Sequence, residues 1–188
     1  MAAFARGAIL AREQLAAWAE AVHEAGRTIG FTNGCFDLLH VGHVTYLSEA
    51  ASYGDVLVVG VNSDASVRRL KGPQRPVIGQ DDRAALLAAL GCVDGVMVFD
   101  EATPHRVLEV LRPDVLIKGG TYTPQEVVGR EVVESYGGEV RVTGMVEGVS
   151  TTNIIRSMGG VSSSQEVLPL PAGIQGADDH QVGRRAAG

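Results

Sequence analysis

The stretch Asp55 to Val61, reading DVLVVGV, does most to limit the folds open to this chain. A nearly continuous apolar run is what a strand looks like when both faces of its sheet are covered, as in parallel sheets. Parallel neighbours need crossover connections, usually helices, and the sequence supplies candidates for both. Strands are predicted at Thr28 to Thr32, Val93 to Phe99, Asp114 to Ile117 and Glu139 to Val142. Between them, helical spacing of apolar residues marks Val41 to Tyr53, Asp81 to Leu90, a helix opened by Thr103-Pro104, and one running from Thr123-Pro124 to Tyr136. Such alternation predicts a doubly wound α/β domain with a mainly parallel sheet.

The domain is expected over residues 28–158. Residues 1–27 precede it, with an amphipathic helix at Arg12 to Ala25 packed on the domain and Gly26 as its left-handed cap. Residues 159–188 are rich in Gly, Ser and Pro without sustained period and are expected to form a flexible tail. At 188 residues one core is the natural reading. No segment approaches the ~20 apolar residues of a membrane span, and no leader is evident, so a soluble, cytoplasmic protein without membrane association is expected. Two cysteines without C-x-x-C spacing suggest reduced thiols. A net charge of −6 argues against nucleic acid as partner. Phosphate binding must therefore be local.

In a doubly wound sheet, ligands sit beyond the carboxyl ends of strands where the winding reverses, and several segments at strand ends carry suitable chemistry. FTNGCFDLLHVGH follows the first predicted strand and opens a helix, where N–H groups and the helix dipole favour anions. Asn33 and Gly34 tolerate the positive φ of a tight turn, and His40 and His43 would add cationic donors. Asn62 and Asp64 follow DVLVVGV; Asp64 suits either a helix cap or a ligand rim. Arg68, Arg69, Lys71 and Arg75 crowd the next segment, a solvated run or a phosphate-contacting loop in which Lys71 is the best candidate. Arg83 sits in a helix's first turn, unfavourable for a cation, which hints at service to a ligand. Lys118 is followed by Gly119 and Gly120, which permit close backbone approach. Ser150, Thr151 and Thr152 open the last helix, where one hydroxyl suffices for capping and three invite a phosphate.

These residues carry a family resemblance. GCFDLLHVGH resembles the G-x-F-D-x-x-H-x-G-H signature of the cytidylyltransferase-like nucleotidyltransferases, and STTNIIR is similar to that superfamily's second signature. Together with VNSDASVRRLKGPQRPV, DVLIKGGTY and GREVVESYGGEV, they narrow the resemblance to the adenylyltransferase domain of bacterial ADP-heptose synthesis, over roughly Leu10 to Met158. In that family the domain is fused behind a sugar kinase or stands alone, and the chain's length favours the stand-alone form.

The resemblance implies a Rossmann-like fold and transfer of AMP from ATP to D-glycero-β-D-manno-heptose 1-phosphate, with Mg²⁺ carried by ATP rather than by protein ligands. It makes His40, His43 and Lys71 catalytic. Asn33, Gly34, Phe36, Asp37, Gly42, Arg83, Lys118, Gly119, Gly120 and Ser150 to Thr152 would hold the nucleotide, and Asn62, Asp64 and Lys71 the acceptor. Relatives of this fold suggest a homodimer. A zinc site at His40 and His43 lacks a third ligand, and Cys35 lacks a base to make it a nucleophile. The competing readings are another nucleotidyltransferase, such as one joining CTP to glycerol 3-phosphate, and a non-catalytic nucleotide-binding module.

Overall fold

The computed structural model describes residues 7–120, 123–144 and 151–159. Its centre is a six-stranded sheet, parallel throughout, in the order β1-β4-β3-β2-β5-β6. The strands are β1 (Ala8–Ile9), β2 (Ile29–Gly34), β3 (Val56–Asn62), β4 (Gly95–Phe99), β5 (Val115–Gly119) and β6 (Glu139–Thr143). Every residue of β3 is buried. Val56 and Val58 enter one hydrophobic cluster with Leu15, Val22, Leu108 and Leu111, while Leu57, Val59 and Val61 enter another with Leu47, Ala84 and Leu87. The unbroken apolar run thus serves two cores, one on each face.

The helices are α1 (Leu15–Glu24), α2 (Val41–Ala50), α3 (Asp64–Lys71), α4 (Gln80–Ala88), α5 (His105–Leu111), α6 (Arg130–Ser135) and α7 (Thr151–Gly159). From β2 the chain winds outward through β3 and β4, then crosses back to β5 on the other side of β2 and continues to β6. Winding therefore reverses between β2 and β5. Only Gly30 and Phe31 of β2 are in register with β5, whereas β2 and β3 pair over six positions. The carboxyl ends of β2 and β5 part, and a crevice opens there.

Several local expectations are corrected. Ala8 and Ile9 add an edge strand in a stretch expected to hold only a helix, and that helix begins with a 3-10 turn at Arg12–Gln14. The basic run after β3 is helical as far as Lys71. The cap of α3 is Ser63, whose Oγ accepts from Ser66 N at 3.0 Å, and not Asp64. The helix expected from Thr123 to Tyr136 is broken: Pro124–Glu126 form a 3-10 turn, Val127 is extended and buried, and Gly129 turns at φ +93° before α6. A Cβ at Gly129 would lie 2.3 Å from Leu108 Cδ1, so both the turn and its packing require glycine there. The predicted tail, residues 160–188, lies outside the described residues.

Candidate active site

At the winding reversal, the segment between β2 and α2 makes its turn with Phe36 at φ 48° and Leu38 at φ 56°, not with Asn33 and Gly34 as expected. A non-glycine residue in the left-handed region carries strain that its surroundings must hold. Here the holding group is Asp37. Its carboxylate accepts from Val77 N and Ile78 N at 3.0 Å and from Arg75 Nε at 2.5 Å, and its carbonyl accepts from Thr151 Oγ1 at 2.6 Å. One residue so ties the turn to the strap between α3 and α4 and to the start of α7. Burial pushes the Asp37 carboxyl up, but the two N–H groups and the guanidinium outweigh it and leave the group below the usual carboxylate range.

His40 is the N-cap residue of α2, its carbonyl accepting from His43 N at 2.9 Å and Val44 N at 3.2 Å. The rings of His40 and His43 stack with centroids 3.9 Å apart, and among the described residues neither Nδ1 has a partner. Burial, reinforced by the neighbouring His40, lowers His43 to about 4, and burial lowers His40 as well. For the two expected cationic donors this means that, in the ligand-free chain, burial first and the neighbouring ring second favour the neutral form of His43.

A cavity of about 350 Å³ lies over this turn, bringing together Asn33, Gly34, Phe36, Asp37, His40, Gly42, His43, Lys71, Lys118, Gly119, Thr151 and Thr152. A second cavity, of about 310 Å³, shares Asn33, Gly34, Cys35, Lys71 and Lys118 with the first and continues past Asn62 to Thr103, Glu126 and Val128. Lys71 and Lys118 therefore stand on the wall common to both. Among the described residues neither has a carboxylate within ion-pair distance. Lys118 Nζ donates to Asn33 O at 3.2 Å, bridging the parted strands, and burial lowers its pKa with the charge of Lys71 acting the same way.

Three predicted residues fall elsewhere. Arg83 is wholly buried and lines neither cavity, because its donors are spent inside the protein: Nε to Ile78 O at 2.9 Å, Nη1 to Cys35 O at 2.5 Å and Nη2 to Asp64 Oδ1 at 2.8 Å. That bond also occupies Asp64, which lines neither cavity. Both residues hold the turn from behind. Gly120, at φ +138°, donates its N–H to Thr143 O at 3.1 Å and lines neither cavity. Ser150 lies outside the described residues.

Arg75 and Tyr46 are among the cavity residues that escaped sequence reasoning. Arg75 was visible only as part of a basic run; its pairing with Asp37 spans 38 positions. Tyr46, three residues after His43 on α2, places its hydroxyl between the parted strands, 2.5 Å from Thr32 Oγ1 and donating to Ile117 O at 3.2 Å. Its ring fills the space where a Cβ on Gly119 would stand, 2.8 Å away. Helical spacing from His43 was the available signal. Burial pushes the Cys35 thiol up against four nearby cations, which does not suit a nucleophile. Among the described residues no group of three or more His, Cys, Asp and Glu side chains could hold a metal ion.

A family model described as cytidylyltransferase-like matches residues 31–157, from the middle of β2 into α7. The chain belongs to the cytidylyltransferase-like family. Within it, the bifunctional protein HldE of Geotalea uraniireducens is 62% identical over 146 residues, covering 78% of this chain and 30% of that protein. HldE of Geobacter sulfurreducens is 65% identical over 133 residues, 71% of this chain and 27% of its own length. HldE of Azotobacter vinelandii is 56% identical over 150 residues, 80% and 32% respectively. The chain thus spans about 30% of the length of these relatives. Among solved structures, the lipopolysaccharide core biosynthesis protein from Thermoplasma volcanium superposes with a TM-score of 0.54 at 28% identity, covering 64% of this chain and 98% of that one. The matched range contains every residue that lines the first cavity. No helix among the described residues is long and apolar enough to cross a membrane.

Proposed function

We propose that this chain transfers AMP from ATP to D-glycero-β-D-manno-heptose 1-phosphate, releasing pyrophosphate and ADP-heptose. The observation that carries this reading is the pair of cavities meeting at Lys71 and Lys118. The first has the two histidines, Gly42 and the start of α7 with Thr151 and Thr152, groups that suit a triphosphate. The second offers the same two lysines to a different molecule. A phosphate oxygen entering from the second cavity would meet the α-phosphorus at the shared wall.

The acceptor phosphate is already an anion near neutral pH. Its oxygen forms the new P–O bond as the bond to the β-phosphate oxygen breaks and pyrophosphate leaves, so no general base is required. Catalysis then rests on alignment and on stabilising charge at the phosphoryl oxygens. In this scheme Lys71 and Lys118 neutralise the approaching anions, and His40 and His43 donate to the triphosphate. Thr151, Thr152 and the α7 N-terminus hold the β- and γ-phosphates. Asp37 is the first cavity's sole described carboxylate and is fully engaged, so Mg²⁺ enters as part of the MgATP substrate, on the phosphates. The similarity to HldE over the whole domain supports the heptose acceptor.

A panel of ATP and CTP against sugar 1-phosphates and glycerol 3-phosphate, read by pyrophosphate release, tests the reading. ATP with heptose 1-phosphate is expected to be the best pair. Turnover confined to CTP with glycerol 3-phosphate would overturn it.

A further inference from the structure

The second cavity carries more information than its lysines. Among its described lining residues Glu126 is the one acid, facing a space whose other charges are Lys71 and Lys118. Leu70 and Val128, each about half exposed, and the ring of Pro104 give the cavity apolar walls. Two ammonium groups, one carboxylate and apolar flanks suit a molecule with an anionic end, a hydroxylated end and C–H faces between. The carboxylate is held in place. Thr123 donates both its N–H, at 2.8 Å, and its Oγ1, at 2.9 Å, to Glu126 Oε2, the capping box of the 3-10 turn. No described residue bonds to Oε1, and the Thr123 backbone and side-chain bonds keep the group ionised.

We propose that Glu126 is a specificity-determining residue that accepts hydrogen bonds from hydroxyl groups of the acceptor sugar, at the end away from its phosphate. This rests on the adenylyltransferase reading, which places the sugar phosphate in this cavity. A fixed carboxylate with one oxygen committed and the other unbonded among the described residues is well suited to such groups.

Glu126→Gln tests this, since glutamine at the same position preserves the capping box while removing the charge. Glu126→Ala removes the group altogether. With ATP saturating, the acceptor KM is expected to rise ~10-fold in Glu126→Gln and more in Glu126→Ala, the scale of losing a hydrogen bond to a charged group, while kcat and the KM for ATP stay within twofold. Titration of heptose 1-phosphate into the protein without ATP should show the same weakening. An acceptor KM within twofold of the original in both variants would overturn the assignment of Glu126 and leave the adenylyltransferase reading standing. If the original chain neither binds nor turns over a sugar 1-phosphate, that reading fails and takes this one with it.

Discussion

On the histidine side of the cleft, the Asp37 carboxylate collects two backbone N–H groups and a guanidinium, its carbonyl receives Thr151, and Arg83 braces the same turn through Cys35 O. On the Glu126 side, Leu70 and Val128 stand half exposed, and the bonds of Glu126 run to Thr123, three residues away. Around Asp37 the first wall is a network in which each member satisfies polar groups of the others, with the Nδ1 atoms of His40 and His43 standing outside it. On the second, the loss of Glu126 leaves only the N–H and Oγ1 of the exposed Thr123 without their acceptor. Chemistry that must not vary belongs on the first kind of wall, and a choice of acceptor on the second, where a substitution alters binding without unsettling the fold.

The largest effect that would break this contrast is at Asp37. Asp37→Ala would leave Arg75 half-buried without its partner and the N–H groups of Val77 and Ile78 unmatched, a loss of about 3–5 kcal/mol by the measure of broken buried pairs. Chemical denaturation should show that loss, with turnover falling alongside because the turn bearing His40 is released. If Asp37→Ala unfolds at the same denaturant concentration as the original chain, the network is not what holds the turn.

Arg83 comes next. Arg83→Met keeps much of the buried volume but leaves the carbonyls of Ile78 and Cys35 without donors, at a cost of about 2–3 kcal/mol. Activity per folded molecule should stay within severalfold and the KM for ATP should change little, since the guanidinium does not reach either cavity. A tenfold or greater rise in the KM for ATP with stability intact would restore Arg83 as a phosphate ligand.

Arg83 also marks where sequence reading stops. A cation in a first helical turn was correctly read as a local conflict, yet what resolves it is Asp64 and two distant carbonyls, and no local pattern reveals those. DVLVVGV was legible because burial on both faces leaves a residue-by-residue imprint. GCFDLLHVGH was legible as a junction because a strand end, a turn and a helix start coincide in one segment. The break at Gly129 was hidden, since apolar spacing runs on through Val127 and Val128 while the constraint is Leu108 on another helix. Ala8–Ile9 was too short to register as a strand. Tyr46 carries no local signal of its role, since only the parting of β2 from β5 gives its hydroxyl two partners.

The smallest effect separates the histidines from Asp37 by pH. Burial and the proximity of His40 lower His43 from its ordinary 6.5 to about 4 in the folded chain. The unfolded chain then binds the proton more readily, so the stability tied to a neutral His43 is fully present above pH 6.5 and drains away as pH falls toward 4. His40 is lowered by burial and acts in the same direction. Asp37 is lowered from the carboxylate range, so its share is lost only at more acid pH. Thermal midpoints of the original chain should therefore fall between pH 7 and pH 5, and those of His43→Asn should fall less over that interval. Anionic phosphates in the cavity would pull His43 back up by offering its charged form a partner, so saturating ATP should flatten the same decline. Equal declines for both proteins, with or without ATP, would mean that the stacked imidazoles carry no strain against protonation, and the histidine side would lose the feature that most distinguishes it from the side of Glu126.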